Sequence, residues 1–387
     1  MSTKEKYQFI RTDIAQAEKQ GHPVCGDLVT QHRTLEETII ILIDGIGSGI
    51  KANVAAHLYA SRLMELLKNG FSLREAVSSV VKTIHKARTS EVLFAAFSIA
   101  RILNTGDTTI LSYEIAPPIF IEHGFAYVAE TRPFTAHGEI IKESHFSLEP
   151  GKQLLLVSDG ITQAGIGNSL PLGWGEKGIA DYVNRKTKQG IGFSTIPQKL
   201  LEKSKELSDN RYQDDSTAII ISCQQSHSIH ILTGPPENRQ KDNEIVKKFL
   251  DSNGVKVICG STTAEILARE AGKKVEIKTN TGSYCSPPEY KIKGIDLVTE
   301  GALVLNQLYN ILEEDPDSFD PSSCVSELGI LLHAVDIIHI WLGQAENPGY
   351  KDNIAFTQMG ILRRKQIIPL IAEKLRSMGK LVVVHPF

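Results

Sequence analysis

Apolar runs that lie directly beside aspartates constrain the fold of this chain more than any other feature. The runs and their acidic neighbours are Thr38–Ile43 (TIIILI) followed by Asp44, Gln153–Val157 (QLLLV) followed by Ser158-Asp159, and Asp214-Asp215 followed by Ala218–Ser222 (AIIIS). Short runs rich in β-branched and apolar residues are typical of buried β-strands. A carboxylate at the end of such a strand sits on a rigid scaffold, at the solvent edge of a sheet.

The order of helical and strand-like segments predicts an α+β fold for the first half of the chain. Helical spacing covers residues 51–69 and 72–87, the second with Ser72 and Glu75 as a capping pair, and residues 175–208 are again mostly helical. Further strand candidates between these helical blocks are Val92–Arg101, Thr108–Glu114, Ile119–Glu122 and Ala126–Glu130. Consecutive strands between two helical blocks favour mainly antiparallel sheets. The polar residues 1–20 are predicted to form a short helix or a frayed arm.

The pattern changes near residue 224, which predicts two domains, residues 1–224 and 225–387. With 387 residues, each half has enough chain to bury its own core. Strands and helices alternate in the second half, as in an α/β domain. The predicted strands are 229–233, 255–259, 274–277, 295–298 and 381–384, and the predicted helices are 238–252, 262–271, 301–313, 323–342 and 361–378.

The composition favours a soluble cytoplasmic protein. Hydrophobic residues make up 41% of the chain and charged residues 22%, as in ordinary globular proteins. The net charge of -3 argues against a nucleic-acid partner, and apolar runs end within about ten residues, short of a membrane span of about 20. The five cysteines form no CxxC pair, which favours reduced thiols, and the charged N-terminus is unlike a secretory signal.

Asp27 completes a set of four aspartates with Asp44, Asp159 and Asp214. If their strands share a scaffold, the carboxylates converge and repel one another unless a cation neutralises them. Oxygen ligands suit Mg²⁺ or Mn²⁺ rather than zinc, and two such ions about 3.5–4 Å apart activate water and clamp a phosphoryl group. Taken singly, an Asp-Gly pair also fits an ordinary turn, and an Asp-Asp pair fits a solvated loop.

In their order and spacing, these motifs resemble those of the metal-dependent protein serine/threonine phosphatases of the type 2C superfamily, in particular the bacterial branch named after the stage II sporulation protein E. The matching segments, within about residues 20–223, are Cys25-Gly26-Asp27, Asp44-Gly45-Ile46-Gly47-Ser48-Gly49 with Lys51-Ala52, Ser158-Asp159-Gly160 and Asp214-Asp215-Ser216-Thr217. The resemblance implies a β-sandwich flanked by helices. It also implies hydrolysis of phosphoserine or phosphothreonine by a metal-bridging hydroxide, with phosphorylated anti-sigma-factor antagonists as typical substrates.

The resemblance further implies a role for each residue of the cluster. Asp44 would bridge two Mn²⁺ or Mg²⁺ ions, and Gly45 would offer its carbonyl oxygen to one of them. Asp159 and Asp214 would hold the other ion, and Asp27 would act on the second metal through water. The predicted catalytic residues are therefore Asp44, Asp159 and Asp214.

The sequence departs from the type 2C pattern at positions that matter for the chemistry. Ile46 stands where the eukaryotic enzymes carry a histidine proposed as general acid, so water or another group must protonate the leaving group. His22 is one candidate, and it is equally explained as a plain loop histidine. The eukaryotic phosphate-binding arginine has no clear counterpart; Lys51 either attracts substrate phosphate or is a solvated helix lysine. Cys25 lacks a Cys-x5-Arg cradle, which favours a small apolar role over a nucleophile.

The second domain offers weaker signals. Ser261, Thr262 and Thr263 open a predicted helix directly after a strand, which fits an anion site at a helix N-terminus or ordinary Ser/Thr capping. The turns Gly234-Pro235-Pro236 and Ser286-Pro287-Pro288 are candidates to line a pocket at the strand ends, where open α/β sheets bind ligands. The residues His333, Asp336 and His339 share a predicted helix with apolar neighbours, which favours buried polar positions over metal ligands.

The leading hypothesis is a phosphoprotein phosphatase whose second domain is regulatory. That domain would bind a small-molecule effector or a partner, and a homodimer is among the expectations. The alternatives are a non-catalytic module that binds a phosphoprotein or a ligand, and a small-molecule phosphatase whose second domain binds the substrate.

Overall fold

The computed structural model describes residues 8–88, 94–168, 170–278, 289–320, 322–345 and 360–387. The chain divides into two compact units, Met1–Gln225 and Ser226–Phe387. Within the described ranges, no helix has both the length and the apolar character needed to cross a membrane. Cys285 and the predicted turn Ser286-Pro287-Pro288 lie outside the described residues.

The first unit consists of eleven strands and five α-helices within the described residues. The strands are β1 (Gln8–Ala17), β2 (Asp27–Arg33), β3 (Glu37–Gly45), β4 (Ala95–Leu103), β5 (Asp107–Tyr113), β6 (Ile119–Glu122), β7 (Phe125–Val128), β8 (Arg132–Ala136), β9 (Glu139–Ser147), β10 (Gln153–Val157) and β11 (Ser216–Gln225). The helices are α1 (Ile50–Lys68), α2 (Leu73–Arg88), α3 (Asp159–Thr162), α4 (Gly175–Lys188) and α5 (Ile196–Leu207).

These strands form two antiparallel sheets. One has the order β2-β3-β4-β5-β9-β8 and the other the order β1-β11-β10-β6-β7. The run Thr38–Ile43 shows how the layers form. Ile40 and Leu42 point into the core between the two sheets, whereas Ile39, Ile41 and Ile43 pack against α1 and α2.

Because both faces of β3 are covered, every side chain of this run is apolar except Thr38, and burial of each large side chain contributes about 1.5–3 kcal/mol. The helices α4 and α5 cover the outer face of the second sheet. The predicted β-sandwich flanked by helices is therefore confirmed.

The short helix or frayed arm predicted for residues 1–20 is wrong for the described part. Gln8–Ala17 is a strand that pairs along its whole length with β11. Phe9, Ile10 and Ala15 are buried, while Arg11 and Gln16, which follow Ile10 and Ala15, are exposed. A single polar segment carries too little periodicity to reveal such pairing, since strand propensity depends on the neighbouring strand.

The second unit contains seven strands and five α-helices among its described residues. The strands are β12 (Ser228–Thr233), β13 (Val255–Cys259), β14 (Glu276–Lys278), β15 (Glu289–Lys291), β16 (Leu297–Thr299), β17 (Ile337–Leu342) and β18 (Leu381–Pro386). The helices are α6 (Asp242–Leu250), α7 (Ser261–Glu270), α8 (Ala302–Ile311), α9 (Cys324–Ala334) and α10 (Arg364–Ser377).

One sheet, ordered β14-β15-β16-β13-β12-β17-β18, forms the centre of this unit. The strands β16, β13, β12, β17 and β18 are parallel, and β14 and β15 add an antiparallel edge. Helices α8, α9 and α10 cover one face, and α6 and α7 cover the other. The predicted α/β domain is therefore a doubly wound sheet, in which strand order reverses between β12 and β17.

The predicted helix 323–342 is wrong in its second half. Helix α9 ends at Ala334, and Ile337–Leu342 is the parallel strand β17. His333 consequently lies on α9, whereas His339 lies on a strand. An apolar run of six residues fits either a buried helix or a buried strand, so periodicity alone did not separate the two.

Candidate metal centre

The pairing of β2 with β3 places the first two predicted ligands side by side. Asp27 and Asp44 are direct partners in the antiparallel register of these strands. Both are buried, with 3% and 9% of their surface exposed. The motifs GD and DG, separated by 17 positions in the sequence, therefore meet at one end of the sandwich.

The other two predicted ligands come from the second sheet. Asp159 follows β10 and opens the short helix α3, and Asp214 lies two residues before β11. The end of β10 is tied to β11 because Thr217 N donates a hydrogen bond of 2.8 Å to Ser158 Oγ. The structure thus brings together strand ends from both sheets, and it assembles all four predicted aspartates.

The glycines of these motifs permit that assembly. A Cβ atom on Gly45 would lie 2.0 Å from the carbonyl oxygen of Ala52 in α1, and one on Gly160 would lie 2.1 Å from the carbonyl oxygen of Asp215. These obstacles are backbone atoms, which cannot rotate away as a side chain can. The Asp-Gly pairs are therefore required by the close approach of strand ends to other backbone segments, not by turns alone.

The electrostatics of the cluster are those of crowded buried carboxylates. Burial, reinforced by the charges of Asp27 and Asp159, raises the pKa of Asp44 to about 10. Burial likewise raises the pKa of Asp27 to about 7, with Asp215 and Asp159 adding to the effect. The pKa of Asp159 is also raised by burial, although its interaction with Asp44 and the charge of Lys19 oppose the rise. Without a cation, the folded protein thus disfavours the charged form of these groups.

The donor set fits a divalent cation. Both side-chain oxygens of Asp27 are buried and lack a hydrogen-bond partner. The nearby hydroxyls of Thr217 and Ser158 lower the pKa of Asp27 without offsetting its burial. Within the described residues, no three His, Cys, Asp or Glu side chains already stand in a coordinating arrangement. Oxygen donors of this kind match Mg²⁺ or Mn²⁺, and a bound cation would remove the repulsion.

Asp215 is a residue of the site that sequence reasoning set aside. It is 4% exposed, and its two oxygens accept hydrogen bonds of 2.9 Å from the backbone N–H groups of Lys19 and Gly26. Asp214, whose side chain is 42% exposed, keeps its carboxylate at the surface of the cluster. Asp215 is visible in the sequence as the second residue of the Asp214-Asp215 motif. Only the structure shows that it binds the backbone of Lys19 and Gly26.

Lys19 is the second residue that the sequence did not single out. Its Nζ lies 3.6 Å from Asp214 Oδ1. It reaches this position because β1 runs beside β11, a pairing that the predicted helix for residues 1–20 concealed. No motif in the sequence marks this lysine.

The remaining candidates around the cluster are placed as follows. Burial, with the charge of Asp27, raises the pKa of the Cys25 thiol far above its usual range, which opposes a nucleophilic thiolate. The ring of His22 packs near Gly49, at the N-terminus of α1. Lys51 is exposed on the first turn of α1, and Ile46 is also exposed.

In the second unit, the predicted capping by Ser261, Thr262 or Thr263 is not observed. The N-cap of α7 is Gly260, and no side chain caps this end. Ser261 and Thr262 are exposed, and the buried Thr263 accepts a hydrogen bond of 2.9 Å from Gly234 N. Thr263 therefore ties α7 to the end of β12, and an anion site at this end stays a prediction.

The turn Gly234-Pro235-Pro236 lines a small cavity at the end of β12. Its other walls include Asp242, Thr263 and Phe387. The empty space is about 230 Å³, which includes open solvent. Water-sized atoms can occupy only about 10 Å³ of it, far below the range of about 300–1,000 Å³ typical of sites for small-molecule ligands.

The family match found by comparison with known proteins lies in the first unit. Residues 35–224 match the family model described as stage II sporulation protein E (SpoIIE). No curated protein matches the chain.

Several solved structures are similar to this chain. The SpoIIE phosphatase domain with a regulatory fragment from Bacillus subtilis is 18% identical, with a TM-score of 0.48, over 57% of this chain and 65% of that one. RsbX in complex with magnesium is 18% identical, with a TM-score of 0.40, over 56% and 96% of the two chains. The RsbU and RsbW domains of a Mycobacterium tuberculosis protein are 15% identical, with a TM-score of 0.46, over 69% and 72%.

This chain spans 65%, less than two thirds, of the first of these structures. The family model covers Asp44, Asp159 and Asp214, while Asp27 precedes it. Residues 35–224 therefore form a PP2C-type phosphatase domain that matches the stage II sporulation protein E family model.

Proposed function

We propose that the first unit is a protein serine/threonine phosphatase that hydrolyses phosphoserine or phosphothreonine with the help of two Mn²⁺ or Mg²⁺ ions. The observation that carries the proposal is the convergence of four aspartates from two sheets, with both oxygens of the buried Asp27 left without partners. Such a site is costly to the folded protein unless a cation fills it. The family match of residues 35–224 supports the same chemistry.

In this proposal each residue has a distinct task. Asp44 would lie between the two ions, with the Gly45 carbonyl oxygen as a further ligand. Asp159 and Asp214 would hold one ion, and Asp27 would act on the other through water. When bound, the ions supply Lewis-acid activation of water and neutralise charge on the phosphoryl group. Asp215 positions the loop from Lys19 to Gly26 through its two backbone hydrogen bonds.

We also propose a signalling substrate, a phosphoprotein of the anti-sigma-factor antagonist type, and a regulatory role for the second unit. The motifs of this chain resemble those of the stage II sporulation protein E branch, in which substrates of this type are typical, and this resemblance supports the substrate type. The separation of the chain into two compact units supports a regulatory domain.

The first experiment compares the wild type with Asp44→Asn in the hydrolysis of an aryl phosphate with added Mn²⁺. We expect the variant to lose activity by about 1,000-fold, because the neutral amide removes the ligand shared by both ions. Asp181→Asn, an exposed position on α4, is the matched control and should keep full activity. Equal turnover in the wild type and Asp44→Asn would exclude the two-metal mechanism, and absence of turnover in both would favour a non-catalytic binding module.

The second experiment tests the regulatory role. Residues 1–225 and the full chain are assayed in parallel with Mn²⁺, on the aryl phosphate and on a phosphoserine peptide. We expect the rate on the peptide to differ between the two proteins by more than the rate on the aryl phosphate, since regulation acts on access of the larger substrate. Identical rates on both substrates would count against regulation by residues 226–387.

A further inference from the structure

Lys19 brings a positive charge of the protein itself to the edge of the aspartate cluster. Its Nζ lies 3.6 Å from Asp214 Oδ1, which is an ion pair without a close hydrogen bond. Its charge also acts on Asp159, the other residue proposed to hold the same ion. The charge of Lys19 therefore acts on both carboxylates that are proposed to hold one ion.

The backbone of Lys19 is fixed beside these carboxylates. Its N–H donates to Asp215 Oδ1 at 2.9 Å, and the N–H of the next residue, Gln20, donates to the Tyr212 carbonyl oxygen at 3.0 Å. Asp215 directly follows Asp214 in the chain. The buried carboxylate of Asp215 therefore holds the backbone of Lys19, and the side chain of Lys19 faces the carboxylate of Asp214. The Cα atom of Lys19 cannot leave the cluster without breaking these bonds.

The side chain of Lys19 is less constrained than its backbone. The side chains of Lys19 and Asp214 are 34% and 42% exposed, so their pairing is partly solvated. Exposed pairs of this kind are weak, and a lysine side chain has a long flexible stem. The ammonium group can therefore rotate away while its attachment point stays beside the cluster.

We propose that Lys19 is an internal competitor for the metal ion held by Asp159 and Asp214. In the metal-free protein its ammonium group pairs with Asp214, and binding of the ion displaces it, because the ammonium group and a divalent ion beside the same carboxylate repel each other. This inference rests on the proposed function, since it concerns the same ligands. Its consequence is that one of the two ions binds more weakly than the carboxylates alone would allow, which leaves its occupancy responsive to metal concentration.

The test is a calorimetric titration of the full-length protein with Mn²⁺ alone, which needs no substrate and no turnover. Lys19→Met removes the competing charge and should tighten the weaker Mn²⁺ binding event by about three- to tenfold. Lys19→Arg keeps the charge and should remain near the wild-type affinity. Lys68→Met, an exposed position in the last turn of α1, makes the same change in net charge and should leave the affinity unaltered.

The outcomes separate this inference from the proposed function. If the wild type binds Mn²⁺ and Lys19→Met binds it equally or more weakly, competition is excluded while the metal centre stands. If Lys68→Met tightens binding as much as Lys19→Met, the effect is one of net charge, and competition at Asp214 is again excluded. If the wild type binds no Mn²⁺, both proposals fail together. Circular dichroism of each variant confirms that the fold is intact.

Discussion

Two clusters of titratable side chains, one of aspartates in the first unit and one of histidines in the second, differ in their internal contacts. In the first unit, Asp27 and Asp44 converge with the other aspartates, and both Asp27 oxygens lack partners. In the second unit, His230, His339 and His385 lie side by side on β12, β17 and β18. Their rings stack, with centroids 4.6 Å apart for His230 and His339 and 5.3 Å apart for His339 and His385.

The histidine cluster is held by its own hydrogen bonds. Trp341 Nε1 donates to His230 Nδ1 at 3.3 Å, and His230 Nε2 lies 3.0 Å from the Asn253 carbonyl oxygen. His339 Nδ1 lies 3.0 Å from His385 Nε2. These contacts suit neutral rings, because the Nδ1 atom of His230 must stay unprotonated to accept from Trp341. Contacts within the protein therefore satisfy the histidine rings, whereas the aspartates are crowded and both Asp27 oxygens lack a partner, which a bound cation would supply.

The contrast between the two clusters can be tested by preventing the close approach of Gly45 to α1, on which the aspartate cluster depends. We expect Gly45→Ala to lower the free energy of unfolding of the first unit by about 3 kcal/mol, because the added Cβ meets the Ala52 backbone. It should also abolish Mn²⁺ binding in calorimetry, since α1 and the end of β3 must separate. Chemical denaturation of the full chain should show the change in the first unit alone.

Gly47→Ala, in the same loop, is the matched control. Its φ of 114° disfavours a side chain, but a Cβ atom there would have no neighbour within 4 Å. The cost should be only about 1–2 kcal/mol, with Mn²⁺ binding retained. Wild-type Mn²⁺ affinity in Gly45→Ala would show that the motif glycine is not needed to assemble the cluster.

The contrast between the two units also explains which features the sequence could predict. Asp44 and Asp159 follow strongly apolar runs, and β3 and β10 were recognised because burial on both faces left an unmistakable composition. The capping pair of α2 was equally local: Ser72 N donates to Glu75 Oε2, and Glu75 N lies 3.3 Å from Ser72 Oγ. Features set by neighbouring residues in the chain were therefore predictable.

Features that depend on pairing between distant strands were not. Lys19 joins the cluster only because β1 pairs with β11, about 200 residues away in the chain. His339 was placed on a helix because an apolar run fits a helix as well as a parallel strand, and its stacking on His230 follows from the β12–β17 register. A binding site differs from a packed cluster in whether its polar side chains already have hydrogen-bond partners. Those partners are set by the tertiary structure.

A smaller effect is expected for the histidine cluster, namely a pH dependence of the stability of the second unit. Burial, with the charges of His230 and His385, lowers the pKa of His339 from its usual 6.5 to about 4. Burial also lowers the pKa of His230, with Lys256 and His385 adding to it, and that of His385. Between pH 6.5 and 4 the unfolded chain therefore binds more protons than the folded unit. Because of this difference, the free energy of unfolding is highest above pH 6.5 and decreases as the pH drops towards 4.

We expect the second unit to lose about 1–2 kcal/mol over this interval, because partial solvent exposure of the rings reduces the full linkage effect. Urea unfolding of the Trp174→Phe protein, which leaves Trp341 as the fluorescent reporter within the cluster, measures the loss at each pH. His339→Phe should flatten the dependence, while His57→Phe, exposed on α1, should not. A pH dependence unchanged by His339→Phe would mean that the stacked histidines already bind protons in the folded unit, and the contrast with the aspartates would then disappear.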